Sequence, residues 1–142
     1  MQFRISYDEI QQALYRQSDK HLLFTYSDTH TVRVAAEVNV LFKTTSVGID
    51  ITVLQVSGDD LTLSYSGGIG IEMMLKMALG RLQGTPAEGT VELQPGSRVV
   101  VHLGRMPQLA PVLEKVELHD IYFDPQYIVI DFHLKGGLPT AI

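Results

Sequence analysis

A long stretch of alternating apolar and polar residues constrains the fold of this chain more than any other feature. Between residues 32 and 43, the apolar members are Val32, Val34, Ala36, Val38, Val40 and Phe42, and the polar ones include Arg33, Glu37, Asn39 and Lys43. Successive side chains of a β-strand point to opposite faces, so this pattern is typical of a strand with one face in water. The sequence therefore predicts a long strand that carries Phe42 on its apolar face.

The same alternation continues in the neighbouring segments. It resumes at Val47, Ile49, Ile51 and Val53, stops at the turn-forming "SGDD" of residues 57–60, and returns at Leu61, Leu63 and Tyr65. The segment "HLLFTYS", residues 21–27, precedes the long strand and is also strand-like. Strands joined by short turns pair with their chain neighbours, which predicts an antiparallel meander.

Helices are predicted at two places. Ser6 and Glu9 have the spacing of a capping box, and Ile5 with Ile10 fits a hydrophobic staple, so a helix is expected at residues 7–17. A second helix is expected at residues 69–83. The strand-like segments "TVEL" and "RVVVHL", the proline-bounded "PQLAPVLEK" and two closing strands follow it. This order predicts an α+β fold with a largely antiparallel sheet. No repeat or long linker divides the chain, so residues 1–142 are expected to form a single domain.

Charge and composition limit the classes of function. The 142 residues include 11 Lys and Arg against 16 Asp and Glu, a net charge of -5, and no cysteine. An acidic balance argues against nucleic acid as a partner, because affinity for phosphate backbones depends on Lys and Arg. The first ten residues, "MQFRISYDEI", do not resemble a signal peptide, and no apolar run approaches the ~18 residues of a transmembrane segment. We therefore expect a soluble cytoplasmic protein.

The segment "SYSGGIGIEMMLKMALGRLQG", residues 64–84, joins a glycine cluster to the second predicted helix. Gly68 and Gly70 have the first spacing of a dinucleotide-binding fingerprint, but Met73 stands where that motif needs Gly or Ala. The preceding strand also belongs to a predicted hairpin rather than to a βαβ unit. The glycines are therefore interpreted as a turn between strand and helix.

The second predicted helix has two apolar flanks. At ~100° per residue, one flank contains Ile71, Leu75, Ala78, Leu79 and Leu82, and the other contains Met73, Met74 and Met77 beside Arg81. The first flank is expected to pack against the sheet. Methionine fits irregular or changing neighbours, so Met73, Met74, Met77 and Arg81 are candidate ligand-binding residues for an apolar molecule or a subunit contact. The alternative is ordinary core formed where a sheet curls around the helix.

The order of elements resembles one known superfamily. An amphipathic helix, long strands, an apolar helix and the closing hairpin "VELHDIYFDPQYIVIDFHL", residues 116–134, resemble the bacterial tubular lipid-binding (TULIP-like) proteins. The resemblance implies a strongly curved antiparallel sheet packed around one or two helices, with acyl chains held in the groove. It rests on element order over most of the chain.

The closing hairpin also carries the one arrangement of polar residues that could be catalytic. Pairing Phe123 with Tyr127 places Val116, Leu118, Tyr122, Ile128, Ile130, Phe132 and Leu134 on one apolar face. On the other face His119 is then opposite Asp131 and Glu117 is opposite His133. We expect these four groups to form a solvated face, with a metal or acid–base site as the alternative. Asp120 interrupts the apolar face and is expected at a strand end or bulge.

Two functions remain open from the sequence, with an enzyme as a distant third. The first is a non-enzymatic binding module for a lipid-like or other apolar small molecule. The second is a structural or regulatory protein that acts through homo-oligomerisation or docking of a protein partner. No catalytic or zinc-binding motif occurs, so no cofactor, metal or catalytic residue is predicted.

Overall fold

The structure, a computed structural model, describes residues 1–18, 21–67, 71–80, 83–85, 88–107 and 109–135, without the side chains of residues 17, 18, 38–40, 72, 74, 77 and 78. It is an α+β fold with two antiparallel sheets, which confirms the predicted class.

The larger sheet has six strands in the order β2-β3-β4-β5-β7-β6. Their bounds are Leu22–Asp28 (β2), Thr31–Val40 (β3), Lys43–Ser57 (β4), Asp60–Gly67 (β5), Val91–Gln94 (β6) and Arg98–His102 (β7). The first four strands pair with their chain neighbours, so the predicted meander is confirmed.

One detail of the long strand was predicted wrongly. β3 ends at Val40, and the chain turns at Leu41 and Phe42 before β4 begins at Lys43, the partner of Val40. Phe42 therefore lies in the turn, fully exposed, and not on the apolar face. The apolar series at even-numbered positions continues to Phe42, and "Leu-Phe" contains none of the Gly, Asn or Asp residues that normally mark a hairpin.

The smaller sheet has three strands in the order β1-β9-β8. They span Gln2–Ser6 (β1), Val116–Phe123 (β8) and Tyr127–Leu134 (β9). β8 and β9 form the predicted closing hairpin, in which the Asp124 carboxylate accepts hydrogen bonds from the backbone N–H groups of Gln126 and Tyr127 at 2.7 and 2.6 Å. β1 was not predicted, because five residues ahead of a helix carry little periodic signal.

The expectation of a single strongly curved sheet was wrong. The strands divide into two separate sheets, and neither is strongly curled. β8 and β9 pair with each other and not with a strand of the larger sheet, and β1 adds a third strand at the edge of β9.

The described residues include three α-helices beside the sheets, with bounds Tyr7–Ser18 (α1), Ile71–Gly80 (α2) and Ala110–Leu113 (α3). α1 confirms its prediction, and the capping box is formed in both directions between Ser6 and Glu9 at 3.1 and 3.3 Å. Gln11 of α1 accepts a hydrogen bond from the backbone N–H of Phe24 on the edge strand β2 at 2.7 Å. That contact protects part of an otherwise open sheet edge. None of the helices within the described ranges is long and apolar enough to cross a membrane.

The main core lies where the two sheets meet. Val32, Val53 and Phe123 are buried together, and half-buried apolar and tyrosine side chains of α1, β2–β5, β8 and β9 pack around them. The Tyr7 hydroxyl donates a hydrogen bond to the backbone carbonyl of Asp124 at 2.6 Å. Burial, followed by the nearby Asp124 and Tyr26, raises the pKa of Tyr7 above its ordinary value. The hydrogen bond from Tyr7 holds the first turn of α1 against the closing hairpin.

α2 covers another part of the larger sheet. Ile71 is buried, and together with Leu75 it closes a small apolar cavity of about 160 Å³ over the strands. The sheet side of this cavity is lined by Leu22, Val34, Ala36, Val47 and Ile49. The prediction that Ile71 and Leu75 contact the sheet is confirmed. Leu82, predicted for the same role, lies outside the described residues. Positions 69, 70 and 81 of the predicted helix also lie outside them.

Candidate functional site: an apolar groove

A groove of about 460 Å³ lies between the two sheets and α3. Among the residues that the structure describes, all those that line it are apolar: Phe3, Leu61, Leu103, Leu109, Val112, Leu113, Val116, Leu118, Ile121, Ile130 and Phe132. We call this feature the apolar groove. Strands β8 and β9 form its floor. Its sides are formed by β1, by β5 and by the segment that contains α3.

The segment between β7 and β8 forms one wall of the apolar groove because its backbone folds tightly. A 3-10 turn at Leu103–Arg105 leads into α3, where the backbone N–H groups of Leu109 and Ala110 both donate to the carbonyl of Met106. Proline follows at the start of α3, a position where its missing N–H costs nothing. Leu113 is buried beneath this short helix and fixes it to the hairpin.

The rim of the apolar groove remains open to solvent. Phe3 and Val112 are each more than half exposed, and Leu109 is over a third exposed, although all three line the cavity. Apolar side chains that are concentrated at the mouth of an apolar cavity, and not scattered singly, are typical of a binding surface.

The chemistry of the apolar groove is restricted by its lining. A ligand group that buries a hydrogen-bond donor or acceptor there would find no side-chain partner among the lining residues, which costs several kcal/mol in an apolar environment. The volume lies within the ~300–1,000 Å³ range of small-molecule sites. The groove can therefore hold the apolar part of a ligand, and a polar part would have to remain at the rim.

The candidate residues on α2 are described only in part. Met73 is 68% exposed and does not line any of the described cavities. The side chains of Met74 and Met77, and all of Arg81, lie outside what the structure describes. A ligand or subunit contact at this flank stays a prediction.

The polar face of the closing hairpin differs from its predicted register. Glu117 is opposite His133 as predicted, but a bulge lies between Leu118 and Asp120, and Asp131 is opposite Asp120 instead of His119. The bulge at this point confirms the expectation for Asp120. It also moves Tyr122 from the predicted apolar face to the face of Val129, because one extra residue reverses the alternation beyond it.

The four polar groups of this hairpin are therefore brought together only in part. Of the four, the rings of His119 and His133 lie 4.9 Å apart. Asp120, the neighbouring residue at the bulge, is 3.7 Å from His30. Asp131 lies 3.9 Å from the amino group of Met1. In the part of the chain that the structure describes, no group of three or more His, Asp or Glu side chains is arranged to hold a metal ion.

A second polar cluster, not predicted from the sequence, lies at the end of β7. The imidazole of His102 is hydrogen-bonded to Asp60 at 2.8 Å and lies 3.4 Å from Glu92 on its other side. The hydrogen bond to Asp60 raises the pKa of His102 and outweighs the lowering effect of burial; Glu92 raises the pKa further, and Arg105 opposes it weakly. The three residues come from β5, β6 and β7, so the cluster ties these strands together.

The His102 cluster should make stability depend on pH. Because the pKa of His102 is raised in the folded state, its contribution is fully present below the unfolded pKa of ~6.5 and is lost as pH rises through the folded pKa. We expect the unfolding free energy of the protein, relative to His102→Gln, to fall above pH ~6.5. Urea unfolding at several pH values measures this difference in unfolding free energy. Asp60→Asn should remove most of its dependence on pH. A difference that does not change with pH would contradict the expected role.

Comparison of the chain with protein-family models, with curated protein sequences and with solved structures finds no match. The candidate site therefore has to be judged on its geometry and chemistry alone. Sequence reasoning missed the apolar groove because its lining comes from segments far apart in the chain. The only local signal was the apolar spacing within "PQLAPVLEKV", residues 107–116, where Leu109, Val112, Leu113 and Val116 recur at helical intervals.

Proposed function

We propose that this protein is a non-enzymatic binding module that takes up an apolar, lipid-like small molecule in the apolar groove. One observation carries the proposal: a cavity of about 460 Å³ whose described lining is entirely apolar and whose rim is open. None of the described lining residues has a titratable or nucleophilic side chain, so what this part of the groove offers a ligand is apolar contact.

The lining favours a ligand with an aliphatic or similar chain. Burying about eight methylene groups gains about 6 kcal/mol at ~0.8 kcal/mol each. Loss of ligand freedom reduces this gain, so dissociation constants of tens of micromolar or weaker are expected for a simple chain. The same ligand class is implied by the resemblance to tubular lipid-binding proteins, although here the groove lies between two separate sheets.

A second function is favoured by the exposed rim. Phe3 and Val112 could instead pack against an apolar segment of a protein partner or of a second copy of this chain. This alternative uses the same surface but predicts a complex of proteins in place of a retained small molecule.

The proposal is tested with a fluorescent fatty-acid analogue and a pair of matched variants. Val112→Asp places a charge at the rim, and Leu23→Asp places the same charge at a similarly exposed leucine that does not line the groove. An apolar chain lying against position 112 would remove water from the introduced carboxylate without offering it a partner, so we expect Val112→Asp to weaken binding of the analogue at least about tenfold. Leu23→Asp should bind it like the unmodified protein.

Native mass spectrometry of the purified protein separates the two functions. A retained small molecule, lost in Val112→Asp, supports the binding module. Equal affinity of both variants for the analogue would refute the groove as its site. A dimer that only Val112→Asp dissociates, with no affinity for the analogue, would favour the docking alternative.

A further inference from the structure

The tip of the β3–β4 hairpin exposes two large apolar side chains. Leu41 is 86% exposed and Phe42 is fully exposed, more than any other large apolar residue described. The two strands pair continuously from Thr31–Thr52 to Val40–Lys43, so the tip lies at the end of a ten-residue ladder. Side chains this large and this exposed gain nothing from the fold itself.

The backbone of the tip is also unfavourable for these residues. Leu41 and Phe42 have φ angles of 46° and 69°, the left-handed values of a two-residue type I′ turn. Asn-Gly is the usual sequence for such a turn, because bulky residues are strained there. Residues held in strained conformations occur preferentially at functional positions. Leu41 and Phe42 therefore gain no burial energy on folding and hold a strained backbone, which calls for a role outside the fold.

The charge pattern around the tip indicates what it contacts. In residues 38–49, "VNVLFKTTSVGI", the only charged residue is Lys43, although acidic residues outnumber basic ones in the whole chain. An apolar tip next to a cation and free of acidic residues matches the boundary between acyl chains and phosphate headgroups. The acidic groups elsewhere in the chain have limited influence there, because exposed charges are screened beyond ~8 Å at physiological ionic strength.

We propose that the Leu41–Phe42 tip inserts into the outer layer of a phospholipid bilayer, with Lys43 at the level of the phosphates. This surface is separate from the apolar groove. Lys43 and Val56 are thirteen residues apart on β4, or about 40 Å at 3.3 Å per residue. Val56 pairs with Leu61, which lines the groove. The tip and the groove are therefore at opposite ends of the larger sheet, and the membrane contact does not depend on a ligand in the groove.

The chain has no tryptophan, so a single introduced tryptophan reports insertion directly. The experiment uses the full chain with Phe42→Trp and vesicles of three parts phosphatidylcholine to one part phosphatidylglycerol. We expect the emission to shift to the blue and to become protected from iodide when vesicles are added. Leu23→Trp, at an exposed position on β2, should show neither change. No shift at the tip, or an equal shift at both positions, would overturn the proposal.

A paired variant removes the apolar side chains and keeps the turn. Leu41→Asn with Phe42→Gly installs the preferred type I′ sequence, so this protein should fold at least as well as the original. We expect its vesicle affinity in sedimentation to fall about ten- to a hundredfold, the effect of losing one to two buried apolar side chains. Leu23→Gln with Leu54→Gln, two exposed leucines elsewhere, should bind as before.

Three further results would also support or overturn the proposed membrane contact. Lys43→Glu should weaken binding to the mixed vesicles more than binding to pure phosphatidylcholine, because only the former carry net negative charge. Vesicle affinity that survives the Asn-Gly variant would overturn the proposal. Light scattering that shows self-association, abolished by the Asn-Gly variant and accompanied by no vesicle binding, would assign the tip to a second copy of the chain instead.

Discussion

Replacing Phe123 with alanine is expected to lower the free energy of unfolding by about 3–5 kcal/mol, the usual cost of removing a buried aromatic side chain. Phe123 is 6% exposed and packs with Val32 and Val53 at the junction of the two sheets. Its backbone N–H donates to the carbonyl of Thr29 at 2.7 Å, a hydrogen bond that the substitution leaves in place. The loss of unfolding free energy therefore measures side-chain packing between the sheets and not the hydrogen bond between Phe123 and Thr29.

Phe42→Ala is the matched control for this measurement, because it deletes the same group at a fully exposed position. Urea unfolding should show a change within about 0.5 kcal/mol for Phe42→Ala, as for most surface substitutions. Similar losses at both positions would mean that Phe123 is not part of a close-packed core between the sheets.

The second large effect is expected at α2, where Leu75→Ala should cost about 2–3 kcal/mol. Leu75 is half-buried and lines the small cavity between α2 and the larger sheet, so its truncation enlarges an existing void. The cost of such substitutions rises with the cavity that remains, and partial exposure keeps this one near the low end of the ~2–5 kcal/mol range.

Met73→Ala gives the contrast within the same helix. Met73 is two residues from Leu75 but faces solvent, and its truncation should change the unfolding free energy by less than about 0.5 kcal/mol. A loss at Met73 that equals the loss at Leu75 would contradict the observed orientation of α2. A shift of oligomeric state or of affinity for a fatty-acid analogue in Met73→Ala would instead support a contact at the methionine flank.

Local patterns in the sequence were sufficient for most of the fold. Alternation of apolar and polar residues predicted the meander of β2 to β5, since the two faces of a strand are defined by neighbouring positions. The capping box at Ser6 and Glu9 predicted where α1 begins, and both of its hydrogen bonds are formed. For the candidate site, the sequence indicated the class of ligand that we propose, but its candidate residues lie on α2 and not in the apolar groove.

Features that depend on distant segments could not be predicted in this way. β1 pairs with β9, more than a hundred residues away, and that pairing completes the second sheet where one curved sheet was expected. The bulge beside His119 reverses the alternation for half of β8 and makes Asp120, instead of His119, the partner of Asp131. Two-residue periodicity carries no information on either event, because each is decided by which partner strand is available.

The sequence by itself determined the class of fold, the first helix, the meander and the side of α2 that meets the sheet, because each follows from contacts between residues close in the chain. The tertiary structure decided the division into two sheets, the apolar groove and the exposed Leu41–Phe42 tip. The groove exists only because segments from β1, β5, α3, β8 and β9 converge without filling the space between them. The tip escaped prediction because Phe42 continues the strand pattern and no Gly, Asn or Asp marks a turn, and only the pairing of Val40 with Lys43 excludes it from the strand.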